Sequence, residues 1–360
     1  VHGSAVTAAV ALAAAEASGR SLADALRAYL LGYEVLIRIG LAAPGAFQAR
    51  GFQVTPVGGA LVAAMIAADL FGANEEQTVH ACGIALSQSS GVFEFLTNGS
   101  SVKSLHPGWA AHAGIVAAKL AIAGMTGPET ALEGARGLFA SFAGDPSAAQ
   151  SLRTLMNDFG TRWHIEDVAF KFVPCCHYLH PFVEAAGLLA DRRIAADHIE
   201  HLTLRIAPGA SGIVCEPWSI KQSPPDGHAA RWSLPVVVAA RLIEGRVDLD
   251  TFRHRPTSAV LALASRCSWQ PLEPNKFPSA FEAEISVTLR DERKETVRVD
   301  DVFGNASRPA RHADVIAKFR ANAALGMPTA SIDALERAVM SEQASLSAVG
   351  DAICEPKRMS

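Results

Sequence analysis

Several chemistries are excluded by what this 360-residue chain does not contain. It has no GxSxG turn, no GxxxxGK phosphate loop and no GxGxxG run. Nucleophile-elbow hydrolases, P-loop NTPases and dinucleotide enzymes therefore lose their support. It has no HExxH and no CxxC pair, which removes the common zinc patterns. The six cysteines are scattered apart from Cys175 and Cys176, and adjacent cysteines rarely bridge each other. A reduced, cytoplasmic setting is the simple expectation. No run of Lys or Arg occurs, and a net charge of −4 with a pI near 6.3 argues against nucleic acid as a partner. Charged residues are scarce at 19% against 49% hydrophobic, so the chain folds rather than staying disordered. The Ala-rich run from Gly58 is broken by Asp69, so no membrane span is expected. Neither an internal repeat nor a long low-complexity linker is present.

The length suits one large or two ordinary domains. Residues 4–18 superficially resemble a signal peptide, but no basic segment precedes them and Glu16 interrupts the apolar run. They read as a core helix leading to a second that starts at Ser21-Leu-Ala-Asp24. The chain begins with Val rather than Met, so further residues are expected upstream. Apolar spacing predicts helices near 4–18, 21–40, 55–72, 75–90, 108–125, 128–142 and 147–158. Asn74 to Gln77 reads as an N-cap, Pro128 as a first-turn proline, and Gly40, Gly72 and Gly124 as stops. After Asp167 the texture changes. Residues 201–206, 281–289 and 296–300 alternate as half-buried strands, the last two forming a hairpin through Arg290 to Lys294. Helices are expected near 181–192, 229–243 and 257–266, and an amphipathic one over Ser331–Val349. Strands mixed with helices indicate an α+β region.

The densest chemistry lies in Lys103-Ser-Leu-His-Pro-Gly-Trp-Ala-Ala-His-Ala-Gly114. A cation and two histidines precede or open an apolar helix, and helix starts attract anions. The plain alternative makes Lys103 a solvated loop residue and His106-Pro107-Gly108 a helix-start turn. His112 follows His106 by six residues, about 600° of helical rotation, so the two do not share a face for one metal. His112 is expected to pack within the helix. The second cluster holds Lys171, Pro174, Cys175, Cys176, His177 and His180. His177 and His180 share a face if helical. Zinc ligation has little support without a second cysteine pair, whereas an acid–base group beside a cation fits the residue types. Arg162, Trp163, His164 and Glu166 flank the change of texture as a hinge or a chemical group; Asp226, His228, Arg231 and Ser233 read as caps and surface charge.

In order and spacing, the chain resembles the MmgE/PrpD family, which includes 2-methylcitrate dehydratase, cis-aconitate decarboxylase and iminodisuccinate epimerase. The resemblance rests on Gly32-Tyr-Glu-Val35, Gly51-Phe-Gln-Val-Thr-Pro56, Gly83-Ile-Ala85, Lys103 to His112, and Gly124 to Pro128 leading to Leu132-Glu-Gly134. Lys171 to His180 and Ser233-Leu-Pro235 followed by Gly245 complete it. It implies a mostly α fold: a large all-helical domain over 1–165 to which 326–360 return, and a smaller α+β lid domain over 166–325. It further implies a homodimer, a site between the domains, a small carboxylic acid as substrate, and neither metal nor organic cofactor. An acidic segment of the family's site lies upstream of the position of His2. Carried over residue by residue, His2, Lys103, Lys171 and His180 are the implied catalytic groups, with Gln53, Cys176 and His106 contacting substrate. Gln53 stands where many members have histidine. Cys176 and Val236 stand where the decarboxylase has a histidine and a tyrosine. The implied activity is a hydro-lyase of the 2-methylcitrate dehydratase type; the alternatives are a dicarboxylate epimerase or a non-catalytic member that binds small acids.

Overall fold

In the computed structural model, residues 1–341 and 345–354 are described. The chain divides into two compact units. Unit 1 comprises Val1–Thr97, Ser101–Asp167 and the chain from Arg320 onward; unit 2 comprises Asn98–Ser100 and Val168–Phe319.

Unit 1 is helical among its described residues and is built around the helix Val54–Phe71, against which Ser4–Ala17, Leu22–Ala42, Glu75–Leu86 and Leu105–Ile122 pack. A helix apolar on every face must be enclosed. Val54–Phe71 is long and apolar enough to cross a membrane, which corrects the expectation that Asp69 breaks the run, but 83% of it is buried inside the protein. Two capping boxes start neighbouring helices: Ser21 with Asp24, and Asn74 with Gln77. Gly72 ends the central helix in the left-handed conformation. Gly40 does not end its helix, which runs to Ala42, because it packs towards Val1 and Val54.

The helix expected over 128–142 does not form. Residues 129–137 are mostly turns, and only Phe139–Ala143 coil, as one wide π-helical turn. Tertiary contact overrides the apolar spacing here. A Cβ on Gly83 would lie 2.5 Å from the Pro128 carbonyl oxygen, so the 127–128 backbone rests directly on the Glu75–Leu86 helix. The tail expected as one helix over Ser331–Val349 is two, Thr329–Met340 and Leu346–Cys354; residues 342–344 of that expectation, and 355–360 of the expected returning segment, lie outside the described residues.

Unit 2 carries a mixed four-stranded sheet in the order β2-β1-β3-β4, with β1 Ile199–Ile206, β2 Cys267–Pro271, β3 Ala283–Leu289 and β4 Lys294–Val299. β1 runs parallel to β2, pairing Leu202 with Cys267, and antiparallel to β3, pairing Leu204 with Ile285. β3 and β4 form the expected hairpin. Leu202, Leu204, Ile285 and Val287 point from alternate positions into a core covered by helices His180–Asp191 and Leu234–Glu244. Edge strand β2 was not expected from sequence. It is five residues long and ends in Pro271, which an edge tolerates. The helix expected over 229–243 is interrupted. Ser233 accepts a hydrogen bond from Val236 N–H and restarts the chain as Leu234–Glu244 with Pro235 in its first turn.

Candidate active site

Each unit gathers one of the two clusters. In unit 1 the loop from Gly51 to Gln53 pairs with residues 91–93 through Gln53 N–H to Gly91 O (2.9 Å) and Phe93 N–H to Gly51 O (2.8 Å). This fixes Gln53 ahead of the central helix, where its Oε1 lies 2.8 Å from Nδ1 of His106. An amide oxygen only accepts, so the neutral His106 ring carries its proton on Nδ1 and leaves Nε2 as a lone pair. Both side chains are buried. Burial first, and the charge of Lys103 second, hold the His106 pKa below its ordinary value. The ring of Phe95 packs edge-on against His106 at 5.8 Å and has the Lys103 ammonium over its face at 5.7 Å. The His2 main-chain N–H donates to Thr55 Oγ1 at 2.9 Å, two residues beyond Gln53. Main chain at His2 and side chains of Gln53, His106 and Lys103 thus form one continuous neighbourhood.

Two details differ from the sequence expectation. Lys103 is not in an open loop but in the 3₁₀ turn Ser101–Ser104, which runs into a helix beginning at Leu105, so His106 and Pro107 already lie in its first turn. His112 does not pack in the interior; it is exposed, with its ring 5.3 Å from that of Trp109.

In unit 2, Lys171 lies in an irregular segment tied to the 301–308 loop by Phe170 N–H to Gly304 O (3.0 Å). Gly304 has φ +95°, and a Cβ there would meet the Phe170 carbonyl at 2.8 Å, so the approach requires glycine. The Lys171 ammonium reaches the Cys175 carbonyl at 3.4 Å. The chain then turns through His177–Leu179 into the helix His180–Asp191. This spacing brings the His177 and His180 rings to 4.8 Å between centroids.

Both rings are strongly perturbed acid–base groups. Burial, then Lys171, pushes His177 down to about 4, against a weaker upward pull from Asn305 and Asp301. Burial, then His177 and Lys171, pushes His180 down to about 3. Both are neutral at pH 7. Neither nitrogen of His177, nor Nε2 of His180, has a hydrogen-bond partner among the described residues. Main-chain groups of Cys175 and Val173 favour a proton on the other nitrogen of His180, which leaves Nε2 as a buried lone pair. An unsatisfied buried acceptor beside an ammonium is costly unless a ligand completes it.

His177 is not among the catalytic or substrate-contacting groups that the resemblance implies, although its spacing to His180 is a signal in the sequence. A support behind it had no such signal. Asp301, buried, accepts from Phe281 N–H (3.0 Å), Val302 N–H (2.9 Å) and Asn305 Nδ2 (2.7 Å). Phe281 in turn sets its ring 5.0 Å from that of His177. Cys175 is buried and its thiol is pushed up by burial, whereas Cys176 is half-buried. No group of three or more His, Cys, Asp or Glu side chains among the described residues is arranged to hold a metal ion. The Asp226 and Ser233 expectations hold as caps: Asp226 accepts from Ala229 N–H at 2.7 Å.

The MmgE/PrpD N-terminal domain model matches residues 1–151 and the MmgE/PrpD C-terminal domain model matches residues 173–342. The chain is 30% identical over 331 residues to cis-aconitate decarboxylase of Homo sapiens, covering 88% of this chain and 65% of that protein. It is 30% identical over 315 residues to cis-aconitate decarboxylase of Mus musculus (83% and 61%), and 26% identical over 239 residues to that of Aspergillus terreus (64% and 48%). The chain thus spans less than two thirds of the length of these relatives.

Proposed function

The chain belongs to the MmgE/PrpD family, and from that premise we propose that it is a lyase acting at the carbon next to a carboxylate of a small di- or tricarboxylic acid. One observation carries this reading: His180 presents a buried Nε2 without a hydrogen-bond partner among the described residues, beside the ammonium of Lys171, which donates to the Cys175 carbonyl.

Removing a proton from such a carbon sends the C–H electron pair into the carboxylate, and the developing dianion needs cations in place. Lys171 supplies one beside His180, and Lys103 is the unit 1 cation that the family resemblance implies. His180 Nε2 is the lone pair that takes the proton. In the hydro-lyase form, the electron pair returns to form the C=C bond and expels the β-hydroxyl, which leaves as water once protonated. The proton that the leaving hydroxyl takes up balances the one that His180 accepts. Gln53 cannot exchange protons, and its bond to His106 gives it a positioning task instead.

Decarboxylation is the second reading, favoured by the relatives' names. In that reaction a C–C bond breaks, CO2 leaves and the carbanion must be reprotonated. Val236, in the position of the decarboxylase tyrosine, is buried and carries no proton to give. We place the hydro-lyase first for that reason.

Incubating the protein with 2-methylcitrate, cis-aconitate and related hydroxy and unsaturated acids, followed by proton NMR, tests the reading. From 2-methylcitrate the methyl doublet should give way to the singlet of a methyl on a C=C bond, without loss of carbon. Lys103→Ala and Lys171→Ala should each lower kcat/KM by about 100-fold or more while the protein stays folded. Near-wild-type turnover in both variants contradicts the reading. Binding of the acids without any turnover leaves a non-catalytic acid-binding protein.

A homodimer is part of the same proposal. Leu105, Trp109 and Leu120 are exposed at helical spacing on one helix, an apolar stripe of the kind that self-association covers.

A further inference from the structure

We propose that Asp301 is the positioning residue of the unit 2 site: its buried carboxylate pins the 301–308 loop, and that loop fixes where His177, His180 and Lys171 stand relative to one another. This rests on the lyase reading above and names what holds its groups in register.

Asp301 follows β4 by two residues and is buried. Its Oδ1 accepts from Phe281 N–H at 3.0 Å, Val302 N–H at 2.9 Å and Asn305 Nδ2 at 2.7 Å, and its Oδ2 accepts from the Ser307 hydroxyl. An ionised carboxylate only accepts, so it can gather several donors at once. Burial pushes the Asp301 pKa up, but these donors outweigh it and keep the group ionised. Asn305 and Ser307 thereby fold the far side of the loop back onto its start, and Arg308 Nη1 closes it on the Asp301 carbonyl at 2.5 Å.

The pinned loop meets the site at three places. Phe281, held by its N–H, sets its ring 5.0 Å from that of His177 and stacks on Tyr178 at 5.5 Å. The Gly304 carbonyl takes the Phe170 N–H at 3.0 Å, and the Phe303 ring packs on Phe172 at 5.0 Å, so both neighbours of Lys171 are held. Arg308 grips Glu184 through Nη1 at 3.1 Å and Nη2 at 2.7 Å. Glu184 lies one turn beyond His180 on the same helix. Asp226 is the contrast: it accepts from Ala229 N–H and caps only its own four-residue helix. Asp301 therefore acts on the chemistry through the segments it holds, and a misplacement of about 1 Å in such groups can cost about 100-fold in rate.

Heteronuclear NMR of isotope-labelled histidine rings in the full chain reads these positions without turnover. His177→Gln, His180→Gln and His201→Gln assign the signals. In Asp301→Asn, which keeps the shape and removes the charge, the His177 and His180 signals should shift, while that of His201, bonded to Ser268 on the sheet, should stay. With an acid that turns over, kcat should fall about tenfold and KM should stay within about threefold. Arg308→Gln spares the buried carboxylate and should shift the His180 signal, which keeps the proposal testable where Asp301→Asn does not fold. Unmoved His177 and His180 signals in folded Asp301→Asn, or an unmoved His180 signal in Arg308→Gln, overturn the proposal. So does an equal shift at His201, which marks a general loosening of unit 2, and so does an unchanged kcat. A wild-type protein that turns over none of the acids removes the lyase reading instead, and the ring signals still decide the positioning.

Discussion

Two histidines one helical turn apart, His177 half-buried and His180 buried, both neutral, set the character of unit 2. Their low pKa values make acid the test of their environment. In the unfolded chain each has a pKa near 6.5. Between that value and the folded values of about 4 and about 3, the unfolded state binds protons that the folded state does not. Stability is therefore full above pH 6.5 and falls as pH drops, by on the order of 3 kcal/mol by pH 4 for His177 alone. Denaturant titrations from pH 8 to 4 should show this slope, and His177→Asn should flatten it; an unchanged slope in the variant contradicts the assigned burial. Gln53 offers a second test. Gln53→Ala leaves the buried His106 Nδ1–H without its acceptor and should cost about 1–3 kcal/mol, read from the shift in denaturation midpoint. At this scale the sequence marks residues by type and spacing, and so Lys171, His180 and Lys103 stand out. It could not mark Asp301, whose bond from the Phe281 N–H is a tertiary contact.

Buried ion networks matter most at the scale of elements. Arg38, fully buried on the helix Leu22–Ala42, bonds Glu34 at 2.8 Å, Asp158 at 2.5 Å and the carbonyls of Leu155 and Arg162. Glu34 also accepts the Ile165 N–H at 3.0 Å. One arginine and one glutamate therefore fasten residues 155–165 to that helix. Arg38→Ala should lose about 3–5 kcal/mol by leaving Glu34 buried and unpaired; a loss under about 1 kcal/mol in equilibrium unfolding contradicts this. Helices with capping boxes, such as those starting at Leu22 and Glu75, were legible because their start signals are local. The 128–142 segment was not, because the contact of Pro128 on Gly83 is tertiary and outweighs apolar spacing. Likewise β2 has no alternation of its own and exists because β1 offers it an edge.

For the molecule as a whole, the sequence order of motifs carried more than any one motif did, since both family models match along it. The proposed homodimer follows from the stripe on Leu105–Ile122. Light scattering should give twice the 37.9 kDa chain mass for wild type, and a monomer for the Leu105→Glu/Trp109→Glu double variant; a wild-type monomer at micromolar concentration contradicts it. The central claim is that neutral His180, beside Lys171, takes a proton next to a carboxylate. Its most direct test is NMR in deuterated water with the protein and the panel of small acids, comparing wild type with His180→Gln. The account predicts solvent-deuterium exchange or product formation at that carbon in wild type and a loss of about 100-fold or more in the variant. Equal rates in the two proteins would contradict it.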